Sequence, residues 1–204
     1  MPAANEEEWY WNDDEPEFAA TPLEWTRIQT VLFANAGIDI AAYSNEQLGM
    51  GLNHLIGSDA GSIPHMANDP SVPLADAMRM MQAFPNLWRD CIGPRLQDVS
   101  NPIGACTAGR LGYVCYMWFD VWPTFRTARH IPDWCDALWN VFSEMLDVPC
   151  REVQVAALHG IGHEVHALQR EDIVERRIAR FIEAARDDTE LVAYARAAAS
   201  GMVQ

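Results

Sequence analysis

The sequence predicts an all-α fold, and three observations carry that prediction. Two capping boxes, Thr21-Pro22-Leu23-Glu24 and Ser44-Asn45-Glu46-Gln47, are start signals in which an N-cap hydroxyl and a residue three positions on satisfy each other's backbone. From Pro132 onward, apolar residues recur at helical spacing through four segments, approximately 132–146, 150–168, 170–185 and 188–200, with short connections. No segment alternates apolar and polar residues as a half-buried strand would. The expected architecture is a compact helical domain of about eight helices over 21–204, with antiparallel helix pairs toward the C-terminus.

Residues 1–20 read as a separate acidic, aromatic tail. Seven acids occur there without a basic residue, and Trp9, Tyr10, Trp11 and Phe18 are interleaved among them. Such a block is a solvated tail, or a short linear segment that docks on a partner or on the protein's own surface. The first helix then starts at the Thr21 cap, offers Leu23, Ile28, Val31 and Leu32 as an apolar side, and is expected to stop at Gly37. The second opens at Ser44 and ends near Gly57, weakened by Gly49 and Gly51. Residues 57–73 are a loop by composition, flanked by His54 and His65. Helical patterning resumes at Leu74 past Met78, Met80 and Met81, which read as core filling. Pro85 is expected to start a new helix carrying Leu87, Trp88 and Ile92. After Pro102 the pattern recovers through Leu111, Val114, Tyr116, Trp118, Phe119 and Trp122 until Pro123 closes it; apolar nearly all round, it is expected to be central and buried. In the C-terminal part, Pro149 opens the second segment, and the acids of Arg170-Glu171-Asp172 and Asp187-Asp188 suit helix starts.

Composition narrows the function classes. The 204 residues are half hydrophobic with eight tryptophans, enough for one domain with a real core. The formal charge is −15, and all 14 basic residues are arginine. Without lysine there is no Schiff base and no P-loop amine. The acidity argues against a nucleic-acid backbone as ligand. It suits a basic protein partner, through electrostatic steering, or solubility alone. The five cysteines, Cys91, Cys106, Cys115, Cys135 and Cys150, show no CxxC spacing and read as reduced, mostly buried thiols. With no signal-peptide pattern and no apolar run long enough for a membrane span, a cytoplasmic protein is expected. The dinucleotide, P-loop, nucleophile-elbow and calcium-loop patterns are all missing.

The richest local signal is His159-Gly160-Ile161-Gly162-His163-Glu164-Val165-His166, which holds three of the six histidines. On a helix, Val155, Leu158, Ile161, Val165 and Leu168 form one apolar face, while Glu152, His159, His163, His166 and Arg170 form a stripe lateral to it. Three chemistries fit that stripe. A pair of the histidines His159, His163 and His166 plus an outside carboxylate can hold zinc or another transition metal. The spacing is not that of the zincin motif, and Glu164 points to another side. Alternatively, Glu152 orients His159 for acid–base work while Arg170 binds an anion. Finally, the stripe is a partner contact or a wet helix face.

The stretch Val153-Gln154-Val155-Ala156-Ala157-Leu158-His159-Gly160-Ile161-Gly162-His163 resembles a helix of the HEAT-like repeat domains of many uncharacterised bacterial proteins. The resemblance covers the C-terminal part only. It implies that 132–146 pairs with 150–168 and that helix pairs stack to bind proteins through an extended face, and it implies no catalytic residues. The leading functional expectation is a cytoplasmic, acidic, helical protein-binding module without resident cofactor. By analogy with small acidic bacterial proteins, it would be an immunity or antitoxin protein that neutralises a basic partner. The alternative is a metal-dependent or histidine-based enzyme centred on His159, His163 and His166. A third reading, a structural subunit, rests on the tryptophans and the apolar 111–122 segment.

Overall fold

The structure, a computed structural model, describes residues 19–57, 63–105 and 109–203. Nearly all of the acidic, aromatic tail (residues 1–18) and Cys106 lie outside the described residues. All regular structure within them is helical, as the periodicity predicts, and no strand occurs among them. No helix of the described residues is long and apolar enough to cross a membrane.

Helix α1 (Pro22–Asp39) begins at the expected capping box: the Thr21 hydroxyl accepts the Glu24 N–H, and the Glu24 carboxylate accepts the Thr21 N–H. Its inner face, however, is Thr26, Gln29, Phe33 and Ala36, while Ile28 and Val31 are exposed. The deciding residue is Phe33, whose ring joins the aromatic core and turns the β-branched pair outward. Gly37 does not stop the helix. A Cβ there would lie 2.6 Å from the carbonyl oxygen of Asp90, so this glycine permits a close approach instead.

Helix α2 (Asn45–Ile56) starts at the Ser44 capping box. Gly49 within it is a contact rather than a weak point, since a Cβ there would sit 2.4 Å from the backbone of Arg110. The 57–73 stretch is only partly a loop, because Ile63–Asn68 forms a 3₁₀ helix. The Pro64 carbonyl accepts the Trp122 indole N–H and the Thr124 hydroxyl, tying that turn to the core.

Pro85 does not start a helix. It lies near the end of α3 (Leu74–Asn86), and the chain continues through a π-helical stretch, Leu87–Ile92, into the single-turn α4 (Gly93–Leu96). Proline removes one N–H from the α-helical ladder, and a π-register is one way a helix absorbs that loss. Helix α5 (Gly109–Val121) ends before Pro123, and a short α6 (Thr124–Ala128) follows. The four C-terminal helices lie where the sequence puts them: α7 (Pro132–Met145), α8 (Arg151–Leu168), α9 (Glu171–Ala184) and α10 (Thr189–Ala199). Gln169, with φ at 52°, turns the chain out of α8, and the Asp188 side chain caps α10 by accepting the Leu191 N–H.

The core has two parts. Phe33, Phe84, Trp88, Trp118, Phe119 and Trp122 form an aromatic cluster in which Phe84 lies 5.2 Å from both Trp118 and Trp122. Burial of Trp118 and Trp122 within the chain removes the main motive for a structural-subunit reading. The second part surrounds α8, which packs against α5, α7 and α10. Residues 155–162 of α8 are buried without a break. The single apolar face expected for this helix is therefore too narrow, because neighbours cover its flanks as well.

Candidate functional site

Two helices each contribute a pair of side chains four residues apart, which puts each pair on one helical face. From α5 come Tyr116 and Asp120; from α8 come His159 and His163. Trp118 on the opposite side of α5 and Phe119 on its flank are both buried in the core, so core burial fixes the rotation of α5 and with it the direction of Asp120. Gly160 helps to seat α8. A Cβ on it would lie 2.5 Å from the Phe142 ring and 2.9 Å from that of Phe119.

The four polar groups converge. The Asp120 carboxylate lies 2.9 Å from His159 Nε2 through one oxygen and 3.0 Å from His163 Nε2 through the other. The two Nε2 atoms are 3.3 Å apart. On its far side, His159 Nδ1 is 2.6 Å from the Tyr194 hydroxyl of α10, which in turn lies 3.4 Å from that of Tyr116. The Tyr116 ring stacks on His159 with centroids 4.3 Å apart. Side-chain exposure rises from 2% at His159 through 22% at Asp120 to 41% at His163, so the cluster is closed behind His159 and open beyond His163.

Protonation follows from these surroundings. Burial works to raise the Asp120 carboxyl, but the hydrogen bond from His159 and the charges of His159, His163 and Arg126 outweigh it and hold the group below the usual carboxylate range. Burial lowers His163 from its ordinary value, against the pull of Asp120. Burial, with the Tyr116 hydroxyl, pushes Tyr194 far above an ordinary phenol. At neutral pH the site holds an ionised carboxylate beside a neutral His163 imidazole. These are the states in which both groups offer lone pairs to a cation.

The stripe read from the sequence thus divides. His159 and His163 meet; Glu152, His166 and Arg170 do not join them. His159 is not lateral but buried, and Asp120 and Tyr194 orient it in place of Glu152. Glu152 sits about two turns earlier, where its backbone carbonyl accepts the Cys115 thiol and its Oε1 is buried without a hydrogen-bond partner among the described residues. His166 is exposed beside Gly201, and Arg170 pairs with Asp136 of α7. Asp120, Tyr116 and Tyr194 were not anticipated. Asp120 did leave a signal, as the one acid in the largely apolar α5, four residues from a tyrosine. Tyr194, in an alanine-rich helix, left none.

An open groove of about 590 Å³ lies away from this cluster, lined by Arg151, Arg177, Phe181 and Leu191 among others. The described cysteines are free thiols outside the cluster, and burial raises Cys115 well above the usual thiol range. No family model, no curated protein and no solved structure matches this chain.

Proposed function

We propose that this chain is a metal-binding helical protein whose centre is Asp120, His159 and His163, filled by zinc or a similar divalent transition metal. The observation that carries this reading is the spacing of the ligand atoms, separated by 2.9, 3.0 and 3.3 Å. With bonds of about 2.0–2.2 Å, atoms bound to one such ion sit roughly 2.9–3.5 Å apart. The donor set, two imidazoles and a carboxylate without thiolate, suits zinc, nickel or iron(II). Three protein ligands on one side leave further positions toward solvent, where His163 is exposed. That is the arrangement of reactive or exchangeable sites, in contrast to closed structural ones, and a bound water there would be acidified.

The test uses untagged, metal-free protein titrated with zinc and, separately, with cobalt, whose visible absorption reports ligand geometry. One ion per chain is expected, with an absorption band of tetrahedral or five-coordinate cobalt. His163→Ala and Asp120→Ala should each weaken binding at least about tenfold. Absence of stoichiometric binding, or unchanged binding in both variants, overturns the proposal.

Net charge favours a second reading, in which the chain is an acidic module that binds a basic protein. It predicts a stoichiometric, salt-released basic partner on affinity capture, and weak, promiscuous binding would remove it.

A further inference from the structure

The tyrosine pair behind the candidate centre gives it a second layer. We propose that Tyr194 is a positioning residue that lets His159 adopt the tautomer a metal requires, so that α10 sets the affinity of a site whose ligands lie on α5 and α8. This inference rests on the metal reading above.

The argument starts from hydrogen-bond bookkeeping on one ring. A neutral imidazole carries one N–H and one lone pair. In the empty site, His159 Nε2 faces the Asp120 carboxylate, an acceptor, so that nitrogen carries the proton and Nδ1 accepts the Tyr194 O–H. A cation held by Nε2 needs the lone pair there. The ring then has to carry its proton on Nδ1 and donate to the Tyr194 oxygen. The ring is buried, so an Nδ1–H without an acceptor could not turn to water.

A hydroxyl serves both states, because it donates or accepts. When it accepts from Nδ1–H, its own hydrogen has a direction to turn, toward the Tyr116 oxygen at 3.4 Å. The stacked Tyr116 ring fixes the plane of the imidazole, so the change is one of proton position and not of ring position. The change is a tautomerisation with no net gain or loss of protons on the ring: the Nε2 proton leaves through the partly exposed Asp120 carboxylate, Nδ1 gains one through the Tyr194 hydroxyl, which is reprotonated from solvent, and that hydroxyl rotates. A hydrogen-bonded partner on the outer nitrogen also strengthens a ligating imidazole, an effect of about 10–100-fold in affinity at characterised centres.

Two measurements test this. The first uses wild-type protein alone: nitrogen-15 NMR of the His159 ring before and after one equivalent of zinc. The Nε2–H form is expected without zinc and the Nδ1–H form with it. The second compares zinc affinity in wild type and Tyr194→Phe, which keeps the ring in α10 and removes only the hydroxyl. A loss of about 10–100-fold is expected, against a smaller loss for Tyr116→Phe, whose hydroxyl is one step further out. If wild type binds zinc but Tyr194→Phe binds it within twofold, this inference is wrong and the metal reading stands; if His159 keeps Nε2–H in the zinc complex, its Nε2 is no ligand, and both this inference and the place of His159 in the centre are wrong. Wild-type protein that binds no zinc removes both. Should Tyr194→Phe fail to fold, exchange of the His159 Nδ1–H with solvent in the wild-type zinc complex decides: slow exchange is expected of a proton held by the Tyr194 oxygen, and fast exchange overturns the inference.

Discussion

Helix α5 serves two regions of opposite character. One side gives Trp118 to a buried aromatic cluster, with Phe119 at its flank; the opposite side gives Tyr116 and Asp120 to a polar patch that opens to solvent. The aromatic region is held by area and shape, which tolerate little change of volume. The polar region is held by a few directional contacts whose value depends on every partner being present. Damage to the first is therefore expected to appear as lost stability, and damage to the second as lost binding with the fold kept.

The largest effect expected is in the aromatic region. Trp118→Ala empties a fully buried site among Phe33, Phe84, Trp88 and Trp122, and should cost about 3–5 kcal/mol in urea unfolding. A loss below about 1 kcal/mol would show that the cluster collapses freely and is not a rigid frame for Asp120.

Next in size is Gly49→Ala. Helix propensity alone favours alanine by about 1 kcal/mol. Contact predicts the reverse, because the new methyl would lie 2.4–2.6 Å from Arg110 and Leu111 backbone and Arg110 Cβ, atoms that cannot turn aside. A net loss of about 1–3 kcal/mol is expected, and a stabilised variant would mean that α2 and α5 are not in close contact.

These two residues also show what the sequence could and could not reveal. The two capping-box helix starts, the C-terminal helices and the all-α class were legible because capping and periodicity are local, whereas Pro85, expected to start a helix, lies inside α3. Contacts were not. Gly49 looked like a weak helix residue and Gly37 like a stop, since a glycine's role in seating a neighbouring backbone is set by a segment distant in sequence. The site was half legible for the same reason. His159 and His163 share one helix, and their spacing was visible. Asp120 is 39 residues away, and only the packing of α5 on α8 brings it near. His166 and Arg170 continue the stripe on a helical wheel, but the stripe outlasts the neighbour that gives its first half a purpose.

A smaller effect is expected at Glu152, which separates burial from site chemistry. Burial pushes its carboxyl above the ordinary value of 4.5, with a hydrogen bond from Asn101 and the charge of Arg151 pulling back. Below that value both folded and unfolded chains hold the proton, so nothing is lost. As pH rises past it, the unfolded chain ionises more readily, and stability falls until the folded group ionises too. Glu152→Gln should therefore gain in Tm relative to wild type as pH rises past 4.5. No relative gain above that pH would mean that the buried oxygen finds a partner in solution. Zinc affinity should be unchanged, since Glu152 touches no proposed ligand.

The smallest effect, and the sharpest division, is expected at His166. On a helical wheel it stands with His159 and His163, and only three-dimensional contacts distinguish it. It is exposed, lies beside Gly201 and takes no part in the cluster of Asp120, His159 and His163. His166→Ala should alter stability by no more than about 0.5 kcal/mol. It should also leave zinc affinity within about twofold, whereas His163→Ala, three residues earlier on the same stripe, loses at least about tenfold. Equal losses at both positions would mean that metal is held along the histidine row itself. The carboxylate on α5 would then be a hydrogen-bond partner only, and the two sides of that helix would not differ in the way proposed.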